Sequence, residues 1–375
     1  MGGPVWRLGL VLSLVVQAAC ASAGVRAARA ARARTPLAAR ALAGVAPAVE
    51  TGAAPARLAD RTWNWKSYNV RYQAAGEGNA GPSVLLVHGF GGNADHWRDN
   101  TAALASAGLR VFAIDLLGYG KSDKPPPLDM GAACGEVRRG GVVSGTDRHP
   151  LGSGYNFYTW ADQLNDFVAE VVADTRGVLC VCNSVGGVAG LQAALDNREA
   201  IRGVFLLDPS LRMLHVRRQN PLQVPLTSAL QTMLRETPLG LAFFDAVATP
   251  RAVGNVLRQA YGVSARVDDE LVDAILTPGR SPGAARVFLD FISYSGGPLP
   301  EDLVERLDGE KNPVWVAWGQ EDPWEPFAQG QKYADFPAVR RFIPLPGVGH
   351  CPQDEAPERI NELVREFAAE VFGSF

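Results

Sequence analysis

The stretch VLCVCNSVGGVAG, residues 178–190, decides how the rest of the chain is read. It opens as an apolar run, turns at Asn183-Ser184, and continues into VGGVAGLQAAL, which is small and helix-compatible. Strand, tight turn and helix in that order form the context that lifts a nucleophile to the end of a sheet. The usual spacing of such a turn is Gly-x-Ser-x-Gly, yet Cys182 stands where the first glycine belongs. The turn holds its serine in a sparsely populated backbone conformation. Its neighbours must be small, because strand and helix nearly touch there. Gly186, Gly187 and Gly190 meet that need after Ser184. Cys182 is small enough to stand before it, with more crowding than a glycine. Ser184 is therefore the candidate nucleophile, although Asn-Ser-x-Gly alone occurs too often by chance to establish one.

A serine needs a base, and the base needs an orienting acid. With this kind of turn the chain order is Ser, then Asp or Glu, then His. The chain holds five histidines: His88, His96, His149, His215 and His350. Only His350, in LPGVGHCPQDE, both follows Ser184 and lies just beyond an apparent strand end. The candidate acid is Asp322 in VWVAWGQEDPWEP. Asp208, at the end of GVFLLD, is its rival, and Glu321 and Glu325 are weaker ones. An oxyanion hole requires two backbone donors. The Val185 N–H supplies one, and the Phe90 N–H in HGFGGNADHW is the candidate for the other. His88 is expected to brace that loop. His96 and Trp97 either line a substrate pocket or start the next helix, and Trp324 is a further pocket candidate.

Working outward, SVLLVH (83–88), RVFAID (110–115), GVLCVC (177–182), GVFLLD (203–208), PVWVAW (313–318) and VRRFIPL (339–345) read as strands. Most are continuous apolar runs, as expected of strands buried on both faces of a parallel sheet. Amphipathic segments lie between them. WADQLNDFVAEVV puts Trp160, Leu164, Phe167, Val168 and Val171 on one stripe, and PERINELVREFAAEVF begins with Pro357, which suits a first helical turn. The alternation predicts an α/β fold with a mostly parallel, doubly wound sheet. Two segments interrupt it. Residues 125–154 are rich in Pro and Gly without periodicity, and are expected to form a largely disordered insertion rather than an active-site feature. Residues 210–302 lack strand signals but repeat helical spacings, as at Leu226, Leu230, Met233 and Leu234. Placed between two strands, they read as an inserted helical cap.

The 375 residues suffice for one large α/β domain with an insertion or for two ordinary domains. The five cysteines form no metal-binding pattern, and Cys180-x-Cys182 inside a strand reads as packing. No metal or cofactor is expected. The first fifty residues differ from the rest. The apolar run LGLVLSLVV and an Ala-x-Ala site read as a signal peptide, and VRAARAARARTPLAARALAG has transit-peptide character. That layout predicts a targeting region over 1–58, ahead of a 59–375 domain, and delivery to a chloroplast or other plastid. A simple transit peptide or a secreted protein are the alternatives. Residues 1–49 carry six arginines and no acid, so a net charge of −3 becomes −9 without them. An acidic domain argues against nucleic acid as a partner.

VHGFGG, IDLLGYGKSDKP, CNSVGG, WGQEDPWEP and VGHCPQDEAPE, in that order, resemble the α/β-hydrolase superfamily across nearly all of 60–375. More narrowly, YTWADQLNDF, SLRMLH and FISYSGGPLP resemble the plant and algal chloroplast group that includes pheophytinase and the chlorophyll dephytylases. The resemblance implies an α/β-hydrolase fold and hydrolysis of a prenyl or phytyl ester. It also implies a hydrophobic small-molecule ester substrate, and peripheral contact with a thylakoid membrane as a further expectation. The 125–154 segment departs from that group's compact pattern. Dehalogenases and epoxide hydrolases on this scaffold use an Asp nucleophile, against which Ser184 argues. A small-ester hydrolase, a cofactor-free haloperoxidase and a hydroxynitrile lyase share the serine triad. A ligand-binding protein that merely keeps the fold is an alternative of another class.

Overall fold

The computed structural model describes residues 58–139, 145–220, 222 and 224–375. The expected targeting region lies outside them, apart from Leu58. An eight-stranded sheet runs in the order β1-β2-β4-β3-β5-β6-β7-β8. Its strands are β1 (Ala59–Trp65), β2 (Tyr68–Ala75), β3 (Ser83–Val87), β4 (Arg110–Ile114), β5 (Val178–Asn183), β6 (Ile201–Leu207), β7 (Val314–Gly319) and β8 (Val339–Leu345). β2 is antiparallel to β1 and to β4, and every other pairing is parallel. Helices of six or more residues are α1 (Thr101–Ser106), α2 (Phe157–Phe167), α3 (Val185–Asp196), α4 (Val224–Glu236), α5 (Pro238–Val247), α6 (Pro250–Ala260), α7 (Asp269–Gly279), α8 (Ala284–Ile292), α9 (Pro300–Glu305) and α10 (Pro357–Phe372).

All six residues of β5 are buried. Val178, Cys180 and Cys182 face the layer that holds Trp160 and Phe167 of α2 and Leu191 of α3. Leu179 and Val181 face the opposite layer, with Leu104 of α1 and Leu363 and Phe367 of α10. Period-two alternation thus feeds two separate cores, which explains why this strand is apolar throughout. The β1–β2 hairpin was not among the expected strands. Lys66 and Ser67 close it with φ of 48° and 73°, without the Asn-Gly signature of such turns. Its buried Arg71 is neutralised by Asp60, Asp95 and Asp115, a compensation no apolar pattern announces.

Helices α4 to α8 leave the sheet after β6 and return before β7, as the cap reading predicts. α6 and α7 pack Leu257, Ala260, Leu271 and Val272 against Cys351. α4 has no buried residue, and α5 buries only Gly240. The 125–154 segment differs from the expected disordered insertion. Its described part is packed onto α2 and the cap. Met130, Ala133 and Cys134 are buried, the Gly135 N–H donates to Thr159 Oγ1 at 2.8 Å, and His149 stacks on Tyr294 at 4.4 Å. These are isolated anchors spaced through turns, so no periodicity reveals them.

Candidate active site

Ser184 sits between the last residue of β5 and the first of α3, with φ 53° and ψ −124°. A non-glycine residue holds that conformation only where its surroundings enforce it. They do so through close backbone approach. A Cβ on Gly186 would lie 2.5 Å from the His88 carbonyl oxygen, and one on Gly89 would lie 2.9 Å from Ser184 Cβ. The structure also accounts for Cys182. A Cβ at position 190 would lie 2.5 Å from Cys182 Sγ, so Gly190 makes the room that the cysteine takes. Cys180 and Cys182 otherwise pack, Sγ to Sγ at 3.3 Å. Gly190→Ala is expected to destabilise by about 1–3 kcal/mol through overpacking, although alanine is the better helix former by about 1 kcal/mol. Adding Cys182→Ala should recover most of the loss, read from urea midpoints. Strictly additive effects would remove crowding as the reason for this pairing.

His350 follows β8 and faces the serine. Its Nε2 lies 3.0 Å from Ser184 Oγ, and its Nδ1 lies 2.7 Å from Asp322 Oδ2. Asp322 follows β7, and its Oδ1 accepts the N–H groups of Trp324 and Glu325 at 2.8 and 3.0 Å. Burial alone would raise the Asp322 carboxyl, but His350 and those two donors outweigh it and hold it below the ordinary carboxylate range. Burial likewise pulls the His350 ring down, and the charge and hydrogen bond of Asp322 outweigh that, so the imidazole stays above its usual value. Ser184, His350 and Asp322 are thus brought into one hydrogen-bonded line at three strand ends. Ser184 and His350 are only 7% and 6% exposed beneath the cap.

Val185 opens α3, where an N–H has no partner within the helix. Neither its N–H nor that of Phe90 donates to a protein acceptor among the described residues. Gly89 brings the Phe90 peptide beside Ser184. His88 braces this loop as expected: its Nδ1–H donates to the Gly89 carbonyl at 2.7 Å, and its Nε2 accepts the Leu116 N–H at 3.1 Å. Trp324 packs on the His350 ring at 5.0 Å.

His96 and Trp97 were expected either to line a pocket or to start the next helix, and the structure places both in a short helical turn, Ala94–Trp97. Trp97 is buried in the core layer of α1 and α10. His96 Nε2 bonds the Tyr261 hydroxyl at 2.8 Å, and burial pushes its pKa down to about 4. It ties the sheet domain to the cap. Asp208, the rival acid, does not reach His350 but lies behind Asp322, where its oxygens accept the Gly319 N–H at 2.9 and 3.2 Å.

Two supporting residues, Asn183 and Glu355, were not expected, and Glu325, a weaker rival for the acid, takes a supporting place instead. Asn183 Nδ2 donates to the carbonyls of Leu207 and His350, joining the nucleophile turn to the histidine loop. The Glu355 carboxylate accepts the N–H groups of Gly349 and Cys351 on either side of His350. Glu325 accepts from Ser210 Oγ and the Leu211 N–H, and burial pushes its carboxyl up to about 7. Asn183 and Glu325 act across segments far apart in sequence, whereas Glu355 acts within its own loop, and only proximity to a motif could have flagged any of the three as a support. Beside the site, Phe90 stacks on Phe291 at 4.7 Å and meets Phe288 at 5.5 Å, and Phe288 meets Phe243 and Phe244 of the cap.

The chain is 26% identical over 329 residues to "Pheophytinase, chloroplastic" of Arabidopsis thaliana, covering 84% of this chain and 67% of that one. It is 26% identical over 325 residues to an uncharacterised protein, Rv2715, of Mycobacterium tuberculosis, covering 84% and 82%. Among solved structures, the epoxide hydrolase CorEH superposes with a TM-score of 0.61 at 18% identity, covering 84% of this chain and 99% of that one. That likeness concerns the fold. Residues 84–363 match the family described as the Alpha/beta hydrolase family, and the chain belongs to it.

Proposed function

We propose that the protein is a serine esterase acting on a large apolar carboxylic ester, a prenyl or phytyl ester of a chlorophyll pigment such as pheophytin. The observation that carries the esterase reading is the line from Ser184 Oγ through His350 to Asp322, at 3.0 and 2.7 Å. In this mechanism Ser184 Oγ attacks the ester carbonyl while His350 Nε2 takes the hydroxyl proton. The carbonyl oxygen, now an oxyanion, is held by the N–H groups of Phe90 and Val185. Collapse breaks the ester C–O bond, and His350 returns the proton to the departing alkoxide. Water, activated by the same imidazole, then releases the acid from Ser184. Asp322 fixes the ring so that Nε2 faces the serine.

The pigment-ester reading draws on the named pheophytinase relative and on the aromatic wall of Phe90, Phe288 and Phe291 beside the nucleophile. Leu226 and Leu239, 65% and 60% exposed on the outer cap helices, fit contact with a thylakoid membrane, where such esters reside. The proposed compartment is a plastid, which the destination of a fluorescent protein fused behind residues 1–60 tests. Cytosolic fluorescence would count against it. For the activity, the protein is incubated with pheophytin, chlorophyll and simple acyl esters, and the products are identified. A fluorophosphonate should label Ser184 as well. Failure to label would favour a binding protein that keeps the fold.

A further inference from the structure

His350 is held from the cap as well as from the sheet. Its backbone N–H donates to the Ala260 carbonyl, at the end of α6, at 2.9 Å, and its own carbonyl accepts Asn183 Nδ2. Cap and histidine loop meet there through glycines. A Cβ on Gly262 would lie 2.5 Å from the Gly347 carbonyl oxygen, and one on Gly349 would clash with the Ala260 carbonyl. The Glu355 carboxylate sits at this seam. Its Oε1 accepts the Gly349 and Cys351 N–H groups, both at 3.1 Å, and its Oε2 accepts the Val263 N–H at 2.9 Å. Three donors thus converge on one carboxylate, two from the residues flanking His350 and one from the cap.

Resting on the triad reading above, we propose that Glu355 is a positioning residue that joins His350 to the base of the cap, so that the cap helps to set the imidazole between Ser184 and Asp322. A carboxylate suits the task because it offers acceptors only, and an N–H bonds an ionised acceptor more strongly than a neutral one. Glu355 makes no hydrogen bond to the His350 ring, whose partners are Asp322 and Ser184, so it acts through the backbone. The residue before it strengthens the seam. The Tyr261 hydroxyl donates to Asp354 Oδ2 at 3.0 Å, Arg98 Nε to Asp354 Oδ1 at 2.7 Å, and Arg266 Nε to the Asp354 carbonyl at 2.7 Å. These ties belong to the inner half of the cap, around α6 and α7. Among the described residues, α4 and α5 make no hydrogen bond to residues 347–355, and together they bury only Gly240. The outer half can therefore part for a substrate while the inner half keeps His350 in place.

The test separates position from stability. Glu355→Gln keeps the size of the side chain but turns one acceptor oxygen into an N–H donor, which then faces the N–H groups of the seam. Turnover of 4-nitrophenyl butyrate should fall about a hundredfold in kcat, the cost of a displacement of about 1 Å at a reacting group, with KM little changed. Gly262→Ala leaves Glu355 intact and drives a Cβ into the seam from the cap side. It should lower kcat about tenfold, again with little change in KM.

Proton NMR reads the same geometry without turnover. The His350 Nδ1–H, buried against Asp322, should give a low-field resonance that Asp322→Ala removes. Glu355→Gln and Gly262→Ala should each shift or broaden it at a temperature where circular dichroism shows them folded. A carboxylate that only stabilised its loop would lower the melting temperature and leave both the resonance and kcat at parental values. That outcome in either folded variant overturns the proposal. Should Glu355→Gln fail to fold, Gly262→Ala decides by the same two readings. Absence of the resonance from the unaltered protein would instead sink the triad reading itself, and this proposal with it.

Discussion

Ser184→Ala should lower kcat by about 10⁴ or more, with the folded protein otherwise intact. The expectation follows from geometry in which one atom has no substitute. Ser184 Oγ is the only nucleophile within hydrogen-bond reach of His350 Nε2 among the described residues, and the turn that presents it is rigid at both flanks. Removing Oγ would delete the proposed covalent route, while the proposed Phe90 and Val185 donors would keep whatever catalysis binding and polarisation supply. For that reason His350→Ala should cost about as much, and the double variant little more than either alone. Asp322→Asn should also fall far, because an amide facing Nδ1 stabilises the wrong tautomer. Steady-state turnover of one soluble ester by the purified variants decides the matter. Near-parental kcat in Ser184→Ala would end the triad, whatever the other variants did.

Much of this site is legible in the amino-acid sequence, because the chemistry sits at the ends of strands that announce themselves. β3, β5, β6 and β7 are buried on both faces, so each is a bare apolar run, and the residue just past each run falls at the same edge of the sheet. Ser184 and Asp322 follow from that rule, and His350 follows from chain order and its place beyond the half-exposed β8. What stays hidden is whatever depends on a partner far away. The β1–β2 hairpin is polar where Arg71 meets three aspartates. The 125–154 segment is held by scattered anchors such as Gly135 to Thr159 and His149 on Tyr294. Trp97 sits close in sequence to the Phe90 loop, yet its turn carries it to the other face of the sheet. The tolerance of Cys182 depends on Gly190, eight residues later and one helical turn into α3. Asp208 and Asp322 each end a strand and look like rivals in sequence. Only the order β6-β7 in the sheet makes them neighbours, and of the two Asp322 alone bonds His350.

Among esters of one acid, kcat/KM should rise as the alcohol grows by prenyl units. Each methylene transferred from water to an apolar wall contributes about 0.8 kcal/mol, so a half-buried isoprene unit is worth about 2 kcal/mol. Even with part of that lost to ordering the chain, a rise of about tenfold per unit is expected until the wall is full. The wall is in place: Phe90 carries a proposed oxyanion donor on its backbone while its ring meets Phe288 and Phe291, and Phe288 continues the surface to Phe243 and Phe244 of α5. A tail bound along it would set the carbonyl at Ser184, which converts remote binding into rate. The site is closed over Ser184, so a long substrate requires the cap to part. α4, without a buried residue, gives up little core in doing so. Phe244→Ser and Phe288→Ser should flatten the dependence on chain length while leaving turnover of the shortest ester close to parental. A cap that only shields the triad from water would give no such slope. If short esters react as well as long ones kept in solution, the prenyl-ester reading fails and a small-ester hydrolase replaces it, with Ser184, His350 and Asp322 in the same roles.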